Sequence, residues 1–114
     1  MPNLRRIGRE AEDAAADYLL AKGFTLVTRR FKASGGELDL VCMDGETLVF
    51  VEVKERRVRD SLPEESIGAL KAARMKAAAL EYALKMGMAE VRCRFDMIAI
   101  DGSGLRHHED VFSE

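Results

Sequence analysis

Apolar residues at Leu4, Ile7, Ala11, Ala15, Tyr18 and Leu19 form one stripe at helical spacing, predicting a helix from about Leu4 to Lys22. Gly23 stands where a helix C-terminus favours glycine. Phe24 to Phe31, rich in Thr, Val and Phe, then reads as a strand, and Ala33-Ser34-Gly35-Gly36 as a turn. Two short apolar runs follow, Glu37 to Met43 and Thr47 to Val53, and the Asp44-Gly45 between them is a hairpin signal. Past a basic, irregular stretch, Ser61 with Glu64 resembles a capping box, and Pro63 is tolerated in a first turn. Good helix formers run from there to about Met86, before Gly87. Arg92 to Ile100 reads as a strand, Asp101 to Gly104 as a turn, and Leu105 to Glu114 as a short edge strand or a loose tail. The order α-β-β-β-α-β, without linker or repeat, predicts a single domain over residues 1–114 (core about 8–100) of the α/β class, with a mixed central sheet flanked by helices.

Composition narrows the class without changing it. The 114 residues are 47% hydrophobic and 33% charged, as in an ordinary globular domain. No apolar run is long enough to span a bilayer, and the charged N-terminus shows no secretory signal, so a cytoplasmic protein is expected. Cys42 and Cys93 are isolated, which predicts small buried residues rather than a disulfide or a ligand pair. A net charge of −2 excludes a protein that coats nucleic acid by charge alone. A local basic groove remains open, because Arg29, Arg30 and Lys32 cluster after the first strand and Arg56, Arg57 and Arg59 after the third.

The candidate chemistry lies in charges set inside apolar strands. Burying charge is costly unless it is paired or binds metal. Glu37 and Asp39 interrupt one strand, and Glu52 and Lys54 end the next. With Asp44-Gly45 as a two-residue turn, Met43 pairs with Glu46, placing Asp39 opposite Phe50 and Glu37 opposite Glu52. Glu37, Asp39, Glu52 and Lys54 then share one face of the sheet. Facing carboxylates repel, and a hard cation such as Mg²⁺ or Mn²⁺ suits an all-oxygen site between them. Such an ion activates water at a phosphate, and a nearby lysine orients that water or neutralises developing charge. Asp39 and Glu52 are the candidate metal ligands, with Lys54 as their catalytic partner and Glu37 as an accessory or a turn cap.

Other positions carry alternatives. Glu12 borders the buried face of the first helix, near Gly8, Ala15, Ala16 and Leu19, where it either reaches the metal through water or is simply half-buried. Lys71 and Arg74, in a row with Ile67 and Ala78, either touch phosphates or snorkel from the core edge. Arg56 is a third phosphate candidate. Asp96 is expected to pair with a neighbouring arginine, and His107-His108 lacks a third ligand for zinc.

The Gly36-Glu37-Leu38-Asp39-Leu40-Val41 and Phe50-Val51-Glu52-Val53-Lys54 segments, with Glu12 to Leu19, Lys22-Gly23-Phe24, Arg56, Lys71 and Arg94-Phe95-Asp96, resemble the YraN-like bacterial proteins of the PD-(D/E)XK nuclease superfamily. Leu38 stands where the superfamily name has Pro, Glu55 where the YraN-like pattern usually has a small hydroxyl residue, and Ala11 where Gly is usual. The resemblance implies a core similar to that of restriction endonucleases and archaeal Holliday-junction resolvases. It implies that Asp39 and Glu52 bind metal, that Lys54 serves the water, and that Glu12 is a helix-borne catalytic carboxylate. The expectation is therefore a Mg²⁺- or Mn²⁺-dependent endonuclease acting on DNA rather than RNA, branched structures included, with a homodimer as a reasonable assembly. The alternative from another class is a non-cleaving module that binds nucleic acid or a protein partner.

Overall fold

The computed structural model describes residues 4–56 and 68–112, with residues 4–8 described in backbone only. Helix α1 spans Leu4–Ala21 and strand β1 spans Thr25–Lys32. Strands β2 (Glu37–Asp44) and β3 (Thr47–Glu55) follow, then helix α2 (Ala69–Lys85), β4 (Cys93–Asp101) and β5 (Gly104–His108). The chain therefore adds one edge strand to the expected order, in the segment where the sequence allowed either a strand or a tail. Both helices end alike. The N–H groups of Gly23 and Phe24 reach back to Leu20 and Leu19, and those of Gly87 and Met88 to Leu84 and Ala83. The two glycines take φ values of 102° and 67°, the left-handed geometry that this helix stop requires. Helix α2 starts later than expected, because Gly68 is extended at φ −104°, ψ −177°. The Ser61–Glu64 capping box lies outside the described residues.

The sheet runs β1-β2-β3-β4-β5, antiparallel except for the parallel pair β3–β4. That parallel step is why a helix separates the two strands, since a parallel crossover needs a long connection. One core layer joins Ala15, Ala16, Leu19 and Phe24 to Leu40, Cys42, Val49, Val51 and Ile98, seating α1 on one face. Leu38, Val41, Leu48 and Phe50 pack under Ala78, Ala79 and Tyr82 of α2 on the other. Cys42 is buried and Cys93 exposed, so only the first matches the expectation of a buried cysteine. Among the described residues no helix is long and apolar enough to cross a membrane.

The β2–β3 hairpin closes around Gly45 and Glu46, with Asp44 opposite Thr47, rather than around Asp44-Gly45. Gly45 takes the positive φ of 61° at the first turn position. Relative to the sequence reading, the register is offset by two residues. An even offset keeps the side chains of the paired stretch, Leu40 to Asp44, on their faces.

A buried polar knot fixes β5 and the chain after it. Asp96 is 0% exposed and accepts bonds from Arg94 Nε and Nη2 at 3.0 and 3.2 Å and from the Asp110 N–H at 3.0 Å. The His107 Nε2 lies 2.8 Å from the same carboxylate, and its Nδ1 is 3.0 Å from Lys22 Nζ. Lysine ammonium only donates, so Nδ1 accepts and Nε2–H donates to Asp96. Burial works to raise the Asp96 pKa, but Arg94, the Asp110 N–H and His107 together hold it below the usual carboxylate range. The expected Arg–Asp96 pair is present, and the histidine completes it.

Two stability changes follow from this architecture. Gly87→Ala forces a side chain into left-handed backbone in otherwise open space, so it should destabilise by about 1 kcal/mol, while Gly35→Ala, with neither constraint, should leave the urea midpoint unchanged. Asp96→Ala leaves Arg94 without its buried partner and should destabilise by about 3–5 kcal/mol in the same denaturation measurement.

Candidate functional site

The site forms where β2 parts from β3. Their paired residues run from Asp44↔Thr47 to Leu40↔Val51. One step further, the Asp39 carboxylate itself takes the Val53 N–H, at 2.8 Å through Oδ2. Irregularities in β2 and in its neighbour β1 prepare this. Leu38 and Val41 face α2 while Leu40 faces α1, so the alternation of β2 slips by one at Asp39. Across from it, between the pairs Arg29↔Leu40 and Phe31↔Leu38, Arg30 sits at φ 55°. A left-handed arginine is uncommon, and such backbone persists only where its surroundings impose it.

Glu52 comes from β3, whose Leu48 and Phe50 occupy the same face under α2. It is 4% exposed. Its Oε1 lies 3.0 Å from Lys71 Nζ in the first turn of α2. Its Oε2 is buried without a hydrogen-bond partner. Asp39 lies close enough to this same glutamate for the Glu52 charge to bear on it. Burial, and then the charge of Glu52, push the Asp39 carboxyl up to about 8, against an ordinary 3.8. Two adjacent buried carboxylates both stay ionised only with a cation beside them; otherwise one keeps a proton.

The other sequence candidates fall at graded distances from this pair. Lys54 is half-buried, two residues past Glu52 on the same strand face. Glu12, 9% exposed, is gripped by the Arg30 guanidinium through Nε and Nη2 at 2.7 to 3.1 Å, and its charge reaches Asp39. Glu37 is exposed beside Lys32 at the end of the β1–β2 pair, and its field falls on Arg30. It lies past the last β2–β3 pair, so it does not meet Glu52 across the ladder. Arg74 is exposed, and its backbone abuts Gly36, where a Cβ would come within 3.3 Å of the Arg74 carbonyl oxygen. Close approach of α2 thus accounts for the glycine in the Gly36–Leu40 motif. Arg56 gives its N–H to the Ile100 carbonyl, and its Nε is buried without a partner. With Glu55, Ile100, Asp101 and Gly102 it lines a cleft of about 410 Å³. The cleft lies on the α1 side of the sheet, away from the Asp39–Glu52 pair.

Among the described residues, no three His, Cys, Asp or Glu side chains gather into a ready metal cage. The Asp39–Glu52 pair nonetheless fits a hard divalent ion. It offers only oxygen donors, one of them bare and buried, and Mg²⁺ is commonly held by one or two carboxylates with water completing its shell. Sequence reasoning missed the Arg30–Glu12 and Lys71–Glu52 pairs. The basic residues were visible in the sequence, but nothing in it assigned them to these particular carboxylates.

The raised Asp39 pKa fixes a sign. Between about 4 and about 8 the folded chain keeps a proton that the unfolded chain releases, so stability falls as pH rises through that window. Urea midpoints of metal-free protein should drop between pH 5 and pH 8.5, and Asp39→Asn should flatten that slope.

A profile of the uncharacterised protein family UPF0102 matches residues 11–100. A UPF0102 protein of Anaeromyxobacter dehalogenans is 46% identical over 95 residues, covering 82% of this chain and 71% of that protein. One from Dechloromonas aromatica is 46% identical over 107 residues, covering 93% and 88%. Another, from Symbiobacterium thermophilum, is 40% identical over 98 residues, covering 85% and 83%. The profile spans most of the chain and the relatives reach 40% identity or more, so the chain belongs to the uncharacterised protein family UPF0102, the YraN-like group.

Proposed function

We propose that this chain is a Mg²⁺- or Mn²⁺-dependent nuclease that hydrolyses phosphodiester bonds in DNA, branched structures included, on a restriction-endonuclease-like core. The observation that carries the reading is a buried Glu52 oxygen with no hydrogen-bond partner beside an Asp39 carboxyl pushed up by burial and by the Glu52 charge. Such a pair is unfavourable as a structural device and suited to a cation. Asp39 and Glu52 would hold the ion, which when bound would supply a Lewis acid for the phosphate and acidify a water. Lys54, on the Glu52 face, is placed to orient the attacking water and to stabilise charge on the phosphate oxygens. Water loses a proton as its oxygen adds to phosphorus and the bridging P–O bond breaks, leaving a phosphate monoester and an alkoxide that takes up a proton to become a hydroxyl. Glu12, locked by Arg30, acts on this centre through its field rather than as a ligand.

Binding surface comes from outside the carboxylate pair. Arg56, Lys71 and Arg74 are the candidate phosphate contacts. A second copy of the chain would widen the surface, and the exposed row Leu70, Ala73, Ala77, Leu80 and Leu84 of α2 offers it a seam at coiled-coil spacing.

One observation favours the second reading, a non-cleaving module for nucleic acid or a protein partner: Lys71 and Arg30 already neutralise Glu52 and Glu12. Labelled duplex, single-stranded, flap and four-way-junction DNA incubated with Mn²⁺ separates the two. Wild type should cut at least one substrate, and Glu52→Gln and Lys54→Ala should each lower that rate by roughly a hundredfold or more. Folded, Mn²⁺-binding wild type that cuts none of the four overturns the nuclease reading in favour of the module.

A further inference from the structure

A phosphate contact alone does not account for the pairing of Lys71 with Glu52. The ammonium lies 3.0 Å from Glu52 Oε1, against a carboxylate whose side chain is 5% exposed, while the lysine side chain is 40% exposed. The pair is therefore asymmetric, with a fixed anion and a flexible cation that reaches it from solvent. Lysine is a compact point charge on a mobile stem, and a single-point pair of this kind exchanges more readily than a forked arginine clamp. The second oxygen of Glu52 is buried without a hydrogen-bond partner, and Asp39 lies close enough to feel the Glu52 charge. A divalent ion there would bring two positive charges within a few ångström of the ammonium and take over the neutralisation of Glu52. The displaced ammonium stays in the first turn of α2, which carries no acidic residue and whose Gly68 cap provides no side-chain acceptor. A helix start of that kind favours anions.

We propose, on the footing of the metal-dependent reading, that Lys71 is the site's built-in counter-ion. It holds Glu52 in the metal-free chain, competes with a divalent cation for that carboxylate, and passes its charge to a nucleic-acid phosphate once the cation is bound. Lys71 is thus a positioning residue for the cation and a phosphate ligand only in the metal-loaded state.

Calorimetric titration with Mn²⁺ tests the competition without any need for cleavage. Lys71→Met should bind Mn²⁺ roughly tenfold more tightly than wild type, as expected for removing a unit charge about 6 Å from a divalent ion in water. Lys71→Arg keeps the charge and should bind Mn²⁺ no more tightly than wild type, which separates charge from a folding defect, and melting in EDTA checks the fold of both. Binding of a labelled duplex is then followed against salt, with Ca²⁺ as the ion. The slope of log K against log salt should become shallower by about 0.9 in Lys71→Met, with no change in EDTA. Equal or weaker Mn²⁺ binding by folded Lys71→Met, or an unchanged slope in Ca²⁺, overturns the counter-ion role and leaves the nuclease reading in place. Wild type that binds no divalent ion removes both.

Discussion

The parting of β2 from β3 is the constraint on which the site depends. A regular ladder would satisfy the Val53 N–H with a backbone carbonyl, and Asp39 would be one more strand residue. Instead the Asp39 side chain takes that N–H. The substitution keeps the backbone donor satisfied, as a buried N–H demands. It also draws a carboxylate into the sheet, against Glu52. A structural requirement and a chemical liability are thus met by one side chain.

The surroundings are arranged to tolerate that liability. Arg30 adopts left-handed backbone and closes a fork on Glu12, restraining a third carboxylate whose field already reaches Asp39. Lys71 comes from the opposite layer to neutralise Glu52. Glu12 and Glu52 are thereby each served by a base from another element, so the site is assembled only when both helices are seated. Gly36 contributes by absence, letting α2 approach the start of β2 closely enough for Lys71 to reach across.

The far side of the sheet handles buried charge in the opposite way. Asp96 is surrounded by donors from Arg94, His107 and the Asp110 backbone, and its pKa falls rather than rises. The two acids thus differ in how their charge is met. Asp96 is saturated and holds the C-terminal strand in place. Asp39 is pushed up by burial and by the charge of Glu52, whose own partner is Lys71.

Helices, strands and their order were legible from the sequence because they rest on local chemistry. Apolar spacing set the helix face of α1, and Gly23 and Gly87 marked both helix ends, since left-handed backbone is open to glycine. The candidate pair Asp39 and Glu52 was legible too, because charge inside apolar strands stands out against burial cost. The hairpin register was not, since Asp44-Gly45 and Gly45-Glu46 both satisfy a two-residue turn, and strand pairing rather than turn chemistry chose between them. Only the tertiary structure decided that Glu12 belongs to Arg30, Glu52 to Lys71 and Asp96 to His107. Those partners lie 11 to 19 residues apart along the chain or sit on different elements, and no periodicity within one element encodes which charges meet once the layers are packed.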